Sequence, residues 1–168
     1  MTLPFSAASA DLGEISLDPL RSEDCARLAQ SIVAMAPWSV MNYPADDMRS
    51  FLEATSDTVI RYRLERRGED GGIVSIRYPW LKGPYLELLA LLPNFQGKGL
   101  GTRILRWLER ETVRLEARNL WVCASSFNHD ALRLYERHGF QRVATLPGLV
   151  VDGYDEILLR KFPLNAQS

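Results

Sequence analysis

The sequence predicts an α/β (α+β) fold of about six to seven strands and about four helices, and three observations predict it. An apolar run from Tyr85 to Leu92 meets Pro93, then a loop carrying Gly97, Gly99 and Gly101, and a long amphipathic pattern opens behind it. This reads as strand, glycine loop and helix. A second strand and helix follow at Leu120 to Ala124 and from Asn128 onward. Between them and the N-terminus, two alternating runs at 58–64 and 73–78 flank a charged stretch ending in Gly71-Gly72, which reads as a hairpin connection.

The elements are justified in chain order. Residues 1–13 are small and of mixed polarity and read as a loose leader. Ile15 to Leu17 alternate with polar neighbours and suggest a short strand. Ser22 supplies an N-cap and Glu23-Asp24 first-turn acids; Leu28, Ile32 and Met35 continue that helix until Pro37. A second short helix is expected around 44–52, with Asp46 and Asp47 near its start. After the hairpin, Lys82-Gly83-Pro84 breaks the chain. Tyr85 to Leu92 is apolar on both faces except for Glu87, as in a central strand covered on both sides. The helix from about Gly99 to Arg118 turns Ile104, Leu105, Leu108, Thr112 and Leu115 inward and its arginines mostly outward. Asn128 caps the next helix, whose inner face takes Ala131, Leu134 or Leu132, and Tyr135, and Gly139 stops it. Phe140 to Thr145 and Tyr154 to Lys161 are the last strands. One domain over 14–162 is expected, with a short tail at 163–168.

Composition narrows the function. Twenty basic and 21 acidic side chains leave a net charge of −1, which argues against nucleic acid or an anionic membrane as partner. No apolar run approaches a membrane span, and the N-terminus lacks a signal-peptide pattern, so a cytoplasmic protein is expected. The two cysteines, Cys25 and Cys123, form no metal-ligand spacing, and no metal site is expected.

The glycine loop is the candidate site. Unpaired N–H groups at a helix start point outward and the helix dipole adds positive character. Missing Cβ atoms let phosphate approach the backbone. The spacing of two between glycines does not fit a mononucleotide loop, and the third glycine comes one residue early for a dinucleotide fingerprint. Chemistry alone therefore gives a phosphate cradle, with a ligand-free glycine turn as the plainer reading. Tyr135 is equally open: a buried tyrosine with a satisfied hydroxyl, or an acid. Glu87, the one charge in an apolar strand, is either a base or the partner of an arginine.

The string Gln96-Gly97-Lys98-Gly99-Leu100-Gly101, entered from Ala90-Leu91-Leu92-Pro93, resembles the coenzyme A loop of the GCN5-related N-acetyltransferases (the GNAT family). Asn128, Ala131, Leu134, Tyr135, Gly139 and Phe140 resemble the family's later segment, and Asp152 to Glu156 its acidic entry to the final strand. The resemblance covers roughly 15–162. It implies a central mixed, mostly antiparallel sheet, splayed between the fourth and fifth strands. It implies acetyl-CoA as co-substrate, held by the backbone of Leu89, Ala90 and Leu91, by Gln96 to Thr102, and by Asn128 and Tyr135. It also implies Tyr135 as proton donor to the leaving thiolate. Glu87 is the candidate base, with a water chain as its alternative. Trp38, Tyr43 and Tyr154 are candidate acceptor contacts, the acceptor being a primary amine of a small molecule or a protein N-terminus. Pro37-Trp38-Ser39 is similar to the acceptor segment of ribosomal-protein N-terminal acetyltransferases. Those enzymes carry a glutamate where this chain has Cys123. A non-catalytic acyl-CoA sensor is the alternative function, and the protein is expected to be a monomer or a homodimer.

Overall fold

The computed structural model describes Phe5 and residues 8–164. It contains one eight-stranded sheet and four α-helices among the described residues. In chain order these are β1 (Ala10–Asp11), β2 (Ser16–Pro19), α1 (Ser22–Val33), α2 (Ala45–Glu53), β3 (Val59–Arg66), β4 (Glu69–Trp80) and β5 (Gly83–Leu91). A single 3₁₀ turn at Pro93–Phe95 leads to α3 (Leu100–Arg114), β6 (Leu120–Ser125), α4 (His129–Arg137), β7 (Gln141–Pro147) and β8 (Asp155–Lys161). The strands lie in the order β1-β2-β3-β4-β5-β6-β8-β7.

Every neighbouring pair is antiparallel except β5 with β6. That parallel pair has two rungs, Tyr85↔Trp121 and Leu86↔Val122, after which the strands part. The expected splay between the fourth and fifth strands is this gap, since the short β1 shifts the count by one.

A β-bulge sets the faces of β5. Ser75 and Ile76 are neighbours on β4, yet they pair with Leu88 and Leu86, so Glu87 is the extra residue. The alternation flips there. Leu86 belongs to the core layer that also holds Ile104, Leu105 and Leu108 of α3 and Leu132 and Tyr135 of α4. Leu88 and Ala90 belong to the opposite layer, with Leu28 and Ile32 of α1 and Met48 and Leu52 of α2. The sheet is thus covered on both faces at β5, as the apolar run predicts.

Three expectations are corrected. The 58–78 hairpin turns at Arg67-Gly68, two residues at φ of 52° and 78°, and not at Gly71-Gly72. Both positive dihedrals match the twist of a two-residue hairpin. Gly71 lies inside β4 because a Cβ there would stand 2.2 Å from the Leu64 side chain and 2.7 Å from Phe95. The described part of the loose leader is tied down: Phe5 is buried edge-on against Trp107, and Ala10–Asp11 pairs with β2. An aromatic in a weak pattern finds the core only through tertiary packing. Finally, α3 ends at Arg114 rather than near Arg118. Of the tail, Leu164 donates its N–H to the Arg118 carbonyl, and 165–168 lie outside the described residues.

Candidate functional site

The gap between β5 and β6 opens into a cleft of about 730 Å³. Its near end is the glycine loop. Gly97 and Gly99 sit at φ of 70° and 75°, a region that side-chain-bearing residues avoid, and a Cβ at either would meet nothing within 4 Å. Free space lies above them, and Gly99 is the N-cap of α3. Gly101 differs: a Cβ there would come within 3.0 Å of the Leu134 side chain, so this glycine lets α3 and α4 pack closely. The three glycines thus have two roles: Gly97 and Gly99 leave open space at the helix start, and Gly101 permits helix packing.

Gln96, Gly97, Leu100 and Thr102 line the cleft with Gly99 and Gly101, while Lys98 is exposed and does not. The Gln96 side chain donates from Nε2 to the Leu91 carbonyl at 2.8 Å and so fastens the loop to the end of β5. The Leu91 carbonyl thus already accepts one hydrogen bond from within the chain. Its N–H is placed differently. Leu92 donates to the Gly71 carbonyl on the β4 side, so alternation turns the Leu91 and Leu89 N–H groups toward β6. Among the described residues, no strand pairs with that edge beyond Leu86. Leu89, Ala90 and Leu91 all border the cleft, though the Ala90 side chain is buried in the α1–α2 layer.

Tyr135 comes from α4. Asn128 accepts a hydrogen bond from the Ala131 N–H and caps that helix as expected. The ring of Tyr135 packs edge-on to Phe140, and burial pushes the hydroxyl pKa well up, so it is protonated at neutral pH. Both Asn128 and Tyr135 line the cleft.

Glu87 finds the arginine partners that were its alternative. Its carboxylate accepts from Ser75 Oγ at 2.8 Å and from Arg77 Nε at 3.1 Å, and Arg61 lies 3.7 Å away. Arg61 also lies over the Phe51 ring and donates to the Ala54 carbonyl. Burial lowers the pKa of Arg61, and its Nε has no hydrogen-bond partner among the described residues.

The expected acceptor residues separate. Trp38 borders the cleft with Met35 and Met41. Tyr43 does not line it; its ring packs against the α1–α2 layer, where burial raises its pKa. Tyr154 does not line it either, but its hydroxyl donates to the Val40 carbonyl at 3.2 Å. That bond links the β7–β8 loop to the segment between α1 and α2. Val40, Leu149 and Val150 are exposed apolar side chains around this junction, and the last two border the cleft.

The acidic run also divides. Asp152 and Asp155 are exposed, whereas Glu156 is 6 % exposed and borders the cleft. Ser125 Oγ donates to it at 2.6 Å, and burial raises its pKa. Beside it, the Cys123 thiol receives a hydrogen bond from the Tyr85 hydroxyl, and burial pushes the pKa of both groups up.

Comparison with known proteins supplies an independent line. The model of the acetyltransferase (GNAT) family matches residues 26–140. The chain is 26% identical over 132 residues to an S-alkylcysteine N-acetyltransferase of Bacillus subtilis, covering 71% of this chain and 74% of that protein. Among solved structures, the ribosomal-protein-S18-alanine N-acetyltransferase from Escherichia coli superposes with a TM-score of 0.69 at 21% identity, over 92% of this chain and 96% of the other. A ribosomal L7/L12 alpha-N-protein acetyltransferase in complex with coenzyme A gives 0.73 at 15% identity, over 93% and 98%.

Proposed function

The chain belongs to the GNAT acetyltransferase family, and from that membership we propose that it transfers an acetyl group from acetyl-CoA to the primary amine of a small amino acid or of a peptide N-terminus. The observation that carries this reading is the cleft itself. It runs from the open glycine cradle, past the unpaired edge of β5, to a protonated tyrosine. The cradle fits a pyrophosphate, because its backbone leaves room above two left-handed glycines at the start of a 15-residue helix.

Bound acetyl-CoA supplies an activated acyl thioester. The protein groups then have distinct tasks. The N–H groups of Leu89 and Leu91 offer donors along the β5 edge, in the manner of strand addition. The Leu91 N–H also suits stabilisation of developing negative charge on the acyl oxygen. Tyr135, kept neutral by burial, gives its proton to the departing sulfur. Glu87, shared between Arg77 and Arg61, ties the bulge of β5 to β3 and β4.

The acceptor side is apolar. Met35, Trp38 and Met41 on one wall and Leu149 and Val150 on the other favour an amine carrying a short apolar group. An S-alkylcysteine has that form, and so does a peptide beginning with a small apolar residue. The sensor alternative rests on Cys123 standing at the cleft without ionising readily.

The test is a panel of S-alkylcysteines and dipeptides, followed by coenzyme A release and mass spectrometry of the product. N-acetylation of an apolar amine is the expected result. Tight acetyl-CoA binding with no release on any amine would identify a sensor, and an O-acetylated product would overturn the amine.

A further inference from the structure

We propose that Glu156 receives the acceptor's ammonium group and takes its proton, so that the base of the reaction enters from β8 on the face of the sheet opposite Tyr135. This rests on the reading of the chain as an amine acetyltransferase.

The placement follows from register. Ala124 and Val122 of β6 point into the core layer of α3 and α4, to which Tyr135 also belongs. Alternation turns Cys123 and Ser125 to the other face. Glu156 pairs directly with Ser125, so its side chain lies on that face too, and the 2.6 Å hydrogen bond confirms it. Met35 and Trp38, packed against the α1–α2 layer, border the cleft from the same face. Tyr135 and Glu156 therefore address the gap between β5 and β6 from opposite sides. A nucleophile arriving from the apolar mouth meets Glu156, and the leaving group faces Tyr135.

The carboxylate is also unbalanced. Glu156 has one hydrogen bond, from a neutral hydroxyl, and among the described residues no lysine or arginine pairs with it. The titratable groups facing it are Tyr85 from β5 and Cys123 from β6, both neutral at pH 7 because burial raises their pKa values. Leu146, its partner on β7, and the α1–α2 segment bring no charge. Glu87, by contrast, has two arginines. A buried carboxylate without a counter-ion is costly, and a substrate ammonium supplies that counter-ion.

The protons balance. The ammonium gives its first proton to Glu156, which passes it to solvent. The free amine forms the C–N bond as the C–S bond breaks, the sulfur takes the Tyr135 proton, and the second proton leaving nitrogen restores the Tyr135 hydroxyl.

Two measurements test this. In the first, the side-chain carboxyl signal of Glu156, assigned by its loss in Glu156→Gln, is titrated by ¹³C NMR with S-methyl-L-cysteine or with its desamino analogue. The expected midpoint lies above the ordinary glutamate value of about 4.3 and falls with the amine only, since a bound cation favours the ionised form. An ordinary midpoint, or the same response to both compounds, overturns the proposal. In the second, pH–rate profiles are compared on the best acceptor of the panel. Glu156→Gln is expected to keep acetyl-CoA affinity within about twofold, lose roughly 100-fold in kcat/KM, and lose the acid limb. Ser125→Ala, which removes the bond that favours the ionised carboxylate, should move that limb to higher pH. Superimposable profiles overturn the assignment. If no amine is acetylated, the acetyltransferase reading fails, and the NMR titration still decides whether Glu156 meets an ammonium.

Discussion

At the scale of the residue, burial decides protonation. Tyr135→Phe keeps the ring against Phe140 and removes the hydroxyl. It is expected to lower kcat by roughly 10²–10⁴-fold with acetyl-CoA affinity unchanged, measured by steady-state kinetics beside calorimetry. Glu156 carries a second consequence for stability. Its folded pKa is raised, so the folded state holds a proton that the unfolded chain releases near pH 4.3. Stability is then lost as pH rises from that value through the folded one. Glu156→Gln should melt higher than wild type at pH 7–8 and equally at pH 4. A variant that melts lower at pH 7 would show that the carboxylate is held by partners and not strained. The inward position of Tyr135 was legible in its helix pattern, but the environment of Glu156 was not. The surroundings of Glu156 come from β5, β6 and β8, and only pairing of distant strands reveals that one acid of an acidic run is buried while its neighbours face water.

At the scale of the element, the glycine loop was legible because its chemistry is local: a strand stop, positive-φ residues and a helix start within one short stretch. Its internal division of labour was not, because the duty of Gly101 depends on Leu134 of another helix. The division can be measured. Gly99→Val places a strained side chain into the cradle and should abolish detectable acetyl-CoA binding, with a stability loss of about 1–2 kcal/mol for the left-handed position. Gly101→Ala needs only a small movement of the Leu134 side-chain end and should keep binding within about tenfold. Equal effects of the two in calorimetry would contradict the assignment. The succession of strands and helices along the chain followed from alternation and turn residues, while the hairpin position did not. Gly71-Gly72 looks like a turn until Leu64 and Phe95 occupy the space beside it. Glu87 shows the same limit: its base and ion-pair readings differ only by where Arg61 and Arg77 fall.

At the scale of the whole molecule, two halves of the sheet meet through two rungs and a cleft, and a ligand filling that cleft would span them. Acetyl-CoA at about 100 times its Kd should stabilise the fold by about 2.7 kcal/mol. For a chain of this size that is a rise in Tm of roughly 5–10 °C by thermal melt. A hydrogen bond from Tyr154 to the Val40 carbonyl joins the two segments beside the proposed acceptor mouth. Tyr154→Phe should raise the acceptor KM several-fold with kcat nearly unchanged, and an unchanged KM would remove that link from acceptor binding. The bare edge of β5 has a further consequence, in time rather than in space. The Leu86 strand region is sealed by β6, whereas the Leu89 and Leu91 amides look into the gap. In deuterated water these two should exchange early in the free protein and slow sharply once the coenzyme arm lies along them, so that the protein reports occupancy of its own missing rungs through two backbone amides.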